Sequence, residues 1–142
     1  MVTEDNKALA RRFYEDVFNY RNLALVDELC SQNHIFHTPS ETLRGREEFK
    51  QFLSQYITPF PDARFTVEDL IAEGDKVVSR YTFRGTHKGD LMGIAPTGKQ
   101  VTITGIVIER IANGKSEEAW LNFDALGMMQ QLGKVPAAEQ AR

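Results

Sequence analysis

From the N-terminus to Phe60 the apolar positions recur three and four apart, and from Arg64 onward they alternate. Leu9, Phe13 and Val17, with Tyr14 and Phe18 beside them, form one stripe at helical spacing and predict a long amphipathic helix. Leu23, Val26 and Cys30 within NLALVDELC predict a second, shorter helix. The stretch HIFHTP is too short for a helix and ends in proline, so it reads as a brief strand. After Gly45, the residues Phe49, Phe52, Leu53, Tyr56, Ile57 and Phe60 repeat with helical period and predict a third helix. Glu47 and Glu48 in its first turn complement the helix dipole, and Pro59 and Pro61 stop it.

The alternating half contains four strand-like runs: RFTVEDLIAE, KVVSRYTFRGTH, KQVTITGIVIERIA and KSEEAWLNFDAL. Glu73-Gly74-Asp75 separates the first pair. Asn113-Gly114 separates the last pair and is a strong hairpin signal, because a type I′ turn needs positive φ at both central residues. The connection HKGDLMGIAPTG is long and glycine-rich, so it reads as a covering loop. A short helix, ALGMMQQLG, follows the last strand. Helices first and an antiparallel sheet after them imply an α+β domain, with the helices packed on one face of a curved sheet to make a cone. Residues 1–133 read as a single domain and 134–142 as a polar, flexible tail.

Alternation in the last strand puts Trp120, Asn122 and Asp124 on one face and Ala119, Leu121 and Phe123 on the other. The expectation is that the Trp120 face lines the interior. Leu121 and Phe123 would then face outward and meet a partner subunit, most simply in a homodimer.

Bulk properties remove several function classes. The 142 residues carry a formal net charge of −3 with scattered basic residues, which argues against a nucleic-acid or membrane-surface partner. No apolar run approaches the roughly 20 residues that span a bilayer. The charged start MVTEDNKALARRF lacks an apolar signal core, and one cysteine suits a reducing cytoplasm. Nine phenylalanines are many for this length and call for an aromatic interior or pocket.

Asp124 has two readings. As a structural residue before ALGMMQQL it is a favoured helix N-cap, or is simply exposed at a strand end. As a carboxylate beside an indole in a sheltered pocket it would have a raised pKa and suit proton transfer. His34 and His37 point to opposite faces if they lie on a strand, and His87 sits in a glycine-flanked loop. No metal site is therefore expected, while His37, His87 and Tyr14 are candidate pocket hydrogen-bonding groups beside Trp120 and Asn122. Cys30 reads as a buried, inert thiol. GIAPTGKQ mimics a phosphate-binding loop, but Gln100 replaces the Ser/Thr and a strand, not a helix, follows it.

The segments Phe60-Pro61-Asp62, Gly74-Asp75-Lys76-Val77-Val78, Gly85-Thr86-His87-Lys88-Gly89, Gly93 to Lys99, Gly114-Lys115, Trp120 with Asp124, and Gln130-Gln131-Leu132-Gly133 together resemble the SnoaL-like polyketide cyclase (ester cyclase) family. The resemblance implies the cone-shaped α+β barrel shared with nuclear transport factor 2, ketosteroid isomerase and scytalone dehydratase. Characterised members close a ring by intramolecular aldol condensation, without metal or organic cofactor, using an aspartate on a late strand. By position that residue is Asp124. The resulting expectation is a cofactor-free acid/base enzyme acting on an apolar or polyketide-like carbonyl compound. Two alternatives stand beside it: an epoxide-hydrolase-like hydrolase, and a non-catalytic small-molecule-binding or dimerisation domain.

Overall fold

The computed structural model describes residues 2–134, so the expected tail lies outside the described residues from 135 onward. Helix α1 spans Val2–Arg12 and continues directly into a wider π-helical stretch, Phe13–Asn19. Ala10, Phe13, Tyr14 and Val17 form its buried face, as the apolar spacing requires. A short 3-10 turn, Leu23–Leu25, leads into the four-residue α2, Val26–Leu29. Strand β1 follows at Cys30–His37, and Thr42–Arg44 forms the short β2. Cys30 therefore opens a strand instead of closing a helix, and the expected brief strand begins earlier than HIFHTP.

Helix α3 spans Gly45–Ile57 and buries Phe49, Phe52, Leu53 and Ile57. Glu48 in its first turn accepts a hydrogen bond from the Arg44 amide at 2.8 Å, which satisfies one donor ahead of the helix. The four long strands are β3 at Arg64–Glu73, β4 at Lys76–Thr86, β5 at Gln100–Ala112 and β6 at Lys115–Phe123. Asn113 and Gly114 between β5 and β6 have φ of 54° and 73°, the pair of positive values that the Asn-Gly signal predicts. Helix α4, Ala125–Gln131, ends the described chain.

The strands form one curved sheet in the order β2-β1-β6-β5-β4-β3, antiparallel throughout except for the β1–β6 pair. The α+β expectation holds, but the barrel does not close strand to strand. β2 and β3 are its two edges, and helices cover the inner face instead. Helix α1 packs on β3 and β4, α3 on β1, and α4 on β5. Past the last β5–β6 pair, Gly105 with Phe123, strand β5 runs on without β6. There the Gln131 side chain accepts from the Thr102 amide at 2.7 Å and donates to the Thr102 carbonyl at 2.8 Å.

Gly105 lies opposite Tyr81 on the inner face. A Cβ at this position would collide with the Tyr81 ring and hydroxyl. Gly105→Ala is therefore expected to displace Tyr81 and lower stability by about 1–3 kcal/mol in urea unfolding. An unchanged midpoint would show that Tyr81 has room to move.

Candidate functional site

Between the inner sheet face and the helices lies a cavity of about 90 Å³. All nine phenylalanines of the chain line it. Such a wall follows from the period of each element. Phe13 and Phe18 come from the π-helical stretch, Phe49 and Phe52 from α3, and Phe36, Phe65, Phe83 and Phe123 from inward strand positions. Against this wall stand five lining residues with polar groups: Tyr14, His34, Tyr56, Tyr81 and Glu109.

Glu109 is the one carboxylate among the lining residues. It occupies the inward register of β5, which it shares with the buried Val101, Ile103 and Ile111. Across the ladder it pairs with Ala119 of β6, also buried. Burial disfavours the charged form and pushes the Glu109 pKa from 4.5 up to about 7, and a hydrogen bond with Ser116 opposes part of that rise. The Ser116 hydroxyl also lies 3.2 Å from His34 Nε2. Burial lowers the His34 pKa from 6.5 to about 4, so its ring stays neutral near pH 7. On the other side, the Tyr14 hydroxyl is hydrogen-bonded to Ser79 Oγ at 2.6 Å, and the Tyr14 and Tyr81 rings are 5.5 Å apart. Burial pushes the pKa of both phenols up, which keeps them as donors.

A β-bulge assembles this group. The pairing shifts between Arg110–Glu118 and Ile111–Ser116, which leaves Glu117 as the extra residue. Strict alternation would put Ser116 on the face of Glu118 and Trp120. The bulge turns it inward, where it is fully buried beside Glu109.

The sequence matches the SnoaL-like polyketide cyclase family over residues 8–132. The chain belongs to that family. Among solved structures it is similar to IdmH of Streptomyces antibioticus, a candidate polyketide cyclase, at 30% identity and a TM-score of 0.77, covering 90% of this chain and 98% of that one. It is also similar to AclR of Streptomyces galilaeus, a candidate hydroxylase, at 25% identity and a TM-score of 0.86, covering 95% and 89%. A SnoaL-like protein from Jannaschia sp. CCS1 shares the fold at 20% identity and a TM-score of 0.88, over 95% and 96% of the two chains. None of the curated proteins matches the sequence.

In this SnoaL-like chain the two faces of β6 are the reverse of those expected. Ala119, Leu121 and Phe123 line the cavity, while Trp120 and Asn122 lie on the exposed outer face. The physical reason is register. Trp120 pairs with Ile108 and Asn122 with Ile106, both outward positions of β5. Asp124 is exposed and caps α4, its Oδ1 accepting from the Gly127 amide at 2.9 Å. This is the first of the two readings weighed for it, and the carboxylate lies outside the cavity lining. His37 is also on the outer face, stacked on Trp120 with ring centroids 5.4 Å apart and 2.6 Å from Glu118 Oε2.

His87 is fully buried but does not line the cavity. Its Nδ1 accepts from the Thr97 amide at 3.2 Å and lies 3.0 Å from the Thr97 hydroxyl, which pins the covering loop. Of the expected pocket residues, Tyr14 alone lines the cavity. Strand β5 begins at Gln100, directly after Lys99, so a strand stands where a phosphate-binding loop has its helix N-terminus. Among the described residues, no three His, Cys, Asp or Glu side chains converge as metal ligands. Their helices include none long and apolar enough to cross a membrane.

Two site residues escaped the sequence reading. Glu109 carried a usable signal: in VTITGIVIER it falls on the face of Val101, Ile103 and Val107 and is the misfit there. Ser116 carried none, because only the bulge brings it inside.

The Glu109 pKa makes a signed prediction for stability. A carboxyl raised in the folded state binds its proton more tightly than in the unfolded chain, so its contribution is lost as pH rises from 4.5 through about 7. Glu109→Gln removes that term. Its stability relative to wild type is expected to improve by about 3 kcal/mol across this window, measured by urea unfolding at a series of pH values. A difference that stays flat with pH would mean that Glu109 ionises as freely in the fold as in the unfolded chain.

Proposed function

We propose that this SnoaL-like protein is an acid/base enzyme of cyclase or isomerase type, acting on a compact, largely apolar carbonyl compound, with Glu109 as the final proton acceptor. One observation carries the reading: a single carboxylate, its pKa raised by burial to about 7, lines a cavity walled by aromatic and aliphatic side chains. A group with its pKa close to working pH is suited both to take a proton from carbon and to return it. The phenols of Tyr14 and Tyr81, kept protonated by burial, are donors for the oxygen on which enolate charge develops. The phenylalanine wall excludes water and strengthens both effects.

Family membership and the likeness to IdmH favour a polyketide-like ligand. The cavity is small beside the roughly 300–1,000 Å³ of pockets for drug-sized ligands, so the fit as it stands is to a compact one. A purely ligand-binding role agrees with Asp124 as a cap. It gives no reason for a carboxylate among the aromatic residues. Hydrolysis needs further charged partners, and Glu109 is the only acidic or basic side chain other than His34 in the lining.

The test is exchange of α-protons with deuterated solvent in an aromatic β-keto ester, followed by mass spectrometry. Wild-type protein is expected to accelerate exchange, and Glu109→Gln to lose roughly 100-fold or more of that acceleration. Asp124→Asn is expected to retain it and to keep the helix cap, because an Asn side-chain oxygen accepts from the Gly127 amide as Asp does. Exchange that survives in the Glu109 variant and disappears in the Asp124 variant would reverse the assignment.

The outer sheet face supports a homodimer. Ile71, Val78, Ile108 and Trp120 are successive cross-strand partners, which makes an apolar row across four strands that the His37 ring on β1 continues. Arg80 with Asp69 borders it on one side, and Arg110 with Glu118 on the other. Both signs on both borders suit a two-fold contact between identical faces. Wild-type protein is expected to sediment at twice its 16.1 kDa chain mass, and Ile108→Asp at the chain mass. A monomeric wild type would remove this proposal.

A further inference from the structure

The Glu109 carboxyl faces no positive charge. Among the described residues no lysine or arginine lines the cavity, and burial lowers the pKa of His34, the basic side chain there, to about 4. Glu109 lines the cavity and keeps 6% of its surface accessible. Neither of its oxygens is among the side-chain atoms sealed off without a partner. The carboxyl is thus the polar end of the hollow, and a ligand that enters meets it. An interior carboxylate is costly unless a countercharge accompanies it, and here the protein supplies none.

The flanks of Glu109 are aromatic. Ala119 lies opposite it on β6, and Phe36 lies opposite Ala119 on β1. The Phe49 ring of α3 is 4.6 Å from that of Phe36. From the other side the Glu109 charge acts on Tyr14, whose ring is 5.5 Å from that of Tyr81. Ring faces carry negative charge density and attract a cation within about 6 Å of the centroid, the more so where water is excluded. Aliphatic side chains would hold a neutral apolar ligand as well as these rings do. Only a cation gains from the rings and the carboxylate together.

We infer that the cavity takes compact ligands bearing an alkylated ammonium group, with the positive charge against the Glu109 carboxylate and the alkyl carbons on the ring faces. This rests on the acid/base reading in one respect, since it names a charge that the carbonyl compound carries. Alkylation follows from the supply of acceptors. A primary ammonium brings three N–H donors, and the Tyr14 hydroxyl is already bonded to Ser79 at 2.6 Å. A buried donor without an acceptor is destabilising. A tertiary ammonium has one N–H, which Glu109 accepts, and a quaternary ammonium has none.

Ligand charge and the Glu109 proton are linked. An adjacent cation favours the carboxylate over the acid, so a permanent cation binds the ionised protein and holds it ionised. With its pKa raised by burial to about 7, Glu109 is protonated in mild acid and ionised in mild base. Affinity for the cation therefore rises with pH through that value. A bound cation also keeps Glu109 in the form that takes a proton from carbon.

The other titratable groups around the cavity keep one form across this range. Tyr14 from the π-helical stretch, Tyr56 from α3, Tyr81 from β4 and Cys30 from β1 have pKa values pushed up by burial, while that of His34 is pushed down. Arg46 from α3 donates to the Cys30 carbonyl, and Asp27 and Lys115 act on Cys30 from a distance. Glu118 acts on His34 from the outer face. Near pH 7 the changing charge among these groups is that of Glu109.

The test compares choline with its neutral isostere, the alcohol in which carbon replaces the nitrogen, by calorimetric titration at about pH 5.5 and 8.5. At the higher pH wild-type protein is expected to bind choline about 10-fold or more tighter than the isostere. Between the two pH values choline affinity should rise about 30-fold, the gain in ionised fraction of a group titrating near 7, and the isostere should gain nothing. Glu109→Gln should keep the isostere affinity and lose both the preference for choline and its pH dependence. Choline that fails to bind or binds no tighter than the isostere at the higher pH overturns the inference, as does a preference that survives in Glu109→Gln. α-Proton exchange that depends on Glu109 without any choline preference would leave the base standing and remove only the ligand charge. The expected choline behaviour without exchange would keep the ammonium site and remove the acid/base reading.

Discussion

The pairing of Glu109 with Ala119 is the constraint on which the interior depends. Side chains alternate along a strand, so this one register decides the face of every residue on β5 and β6. A slip by one position would bury Arg110 and Trp120 and send Glu109, Leu121 and Phe123 to solvent. The sheet holds the register because the apolar residues of both strands then fall on the same side. The bulge at Glu117 departs from it once, and that departure puts a hydroxyl within reach of the carboxyl.

Burying a carboxylate opposes folding, and the neighbourhood shows how the cost is limited. Among the described residues no cationic side chain lines the cavity with Glu109, so the group relaxes toward its neutral form instead of forming an ion pair. His34 behaves in the opposite sense: its contribution is lost as pH falls from 6.5 toward about 4, while that of Glu109 is lost as pH rises from 4.5 toward about 7. The two oppose each other in the overlap. The interior thus holds both groups uncharged most readily in mildly acidic solution, and near neutrality the carboxyl is divided between its forms.

Much of the fold was legible because its signals are local. Helical spacing at Phe49, Phe52 and Leu53, the proline stop after Ile57, and the Asn113-Gly114 turn each carry their own geometry. β2 was not legible, since three residues hold no period. The start of β1 was missed because Cys30 continues the apolar spacing of Leu23 and Val26. The site was harder to read. Alternation separates two faces of a strand without naming the inner one, and the indole of Trp120 outweighed the humbler apolar set of Ala119, Leu121 and Phe123. The bordering Glu118 and Asn122 were the better guide, because a charged and an amide side chain share the outer face with that indole. Asp124 satisfied a cap rule and a chemical expectation at once, and the helix dictated its position.

Gln131 on α4 makes both backbone hydrogen bonds of Thr102, where β5 extends past its neighbour. An uncovered stretch there would offer a free donor and acceptor to any extended peptide. With a side-chain amide already seated on them, that rim cannot template another strand, so this end of the sheet resists growing into a fibril.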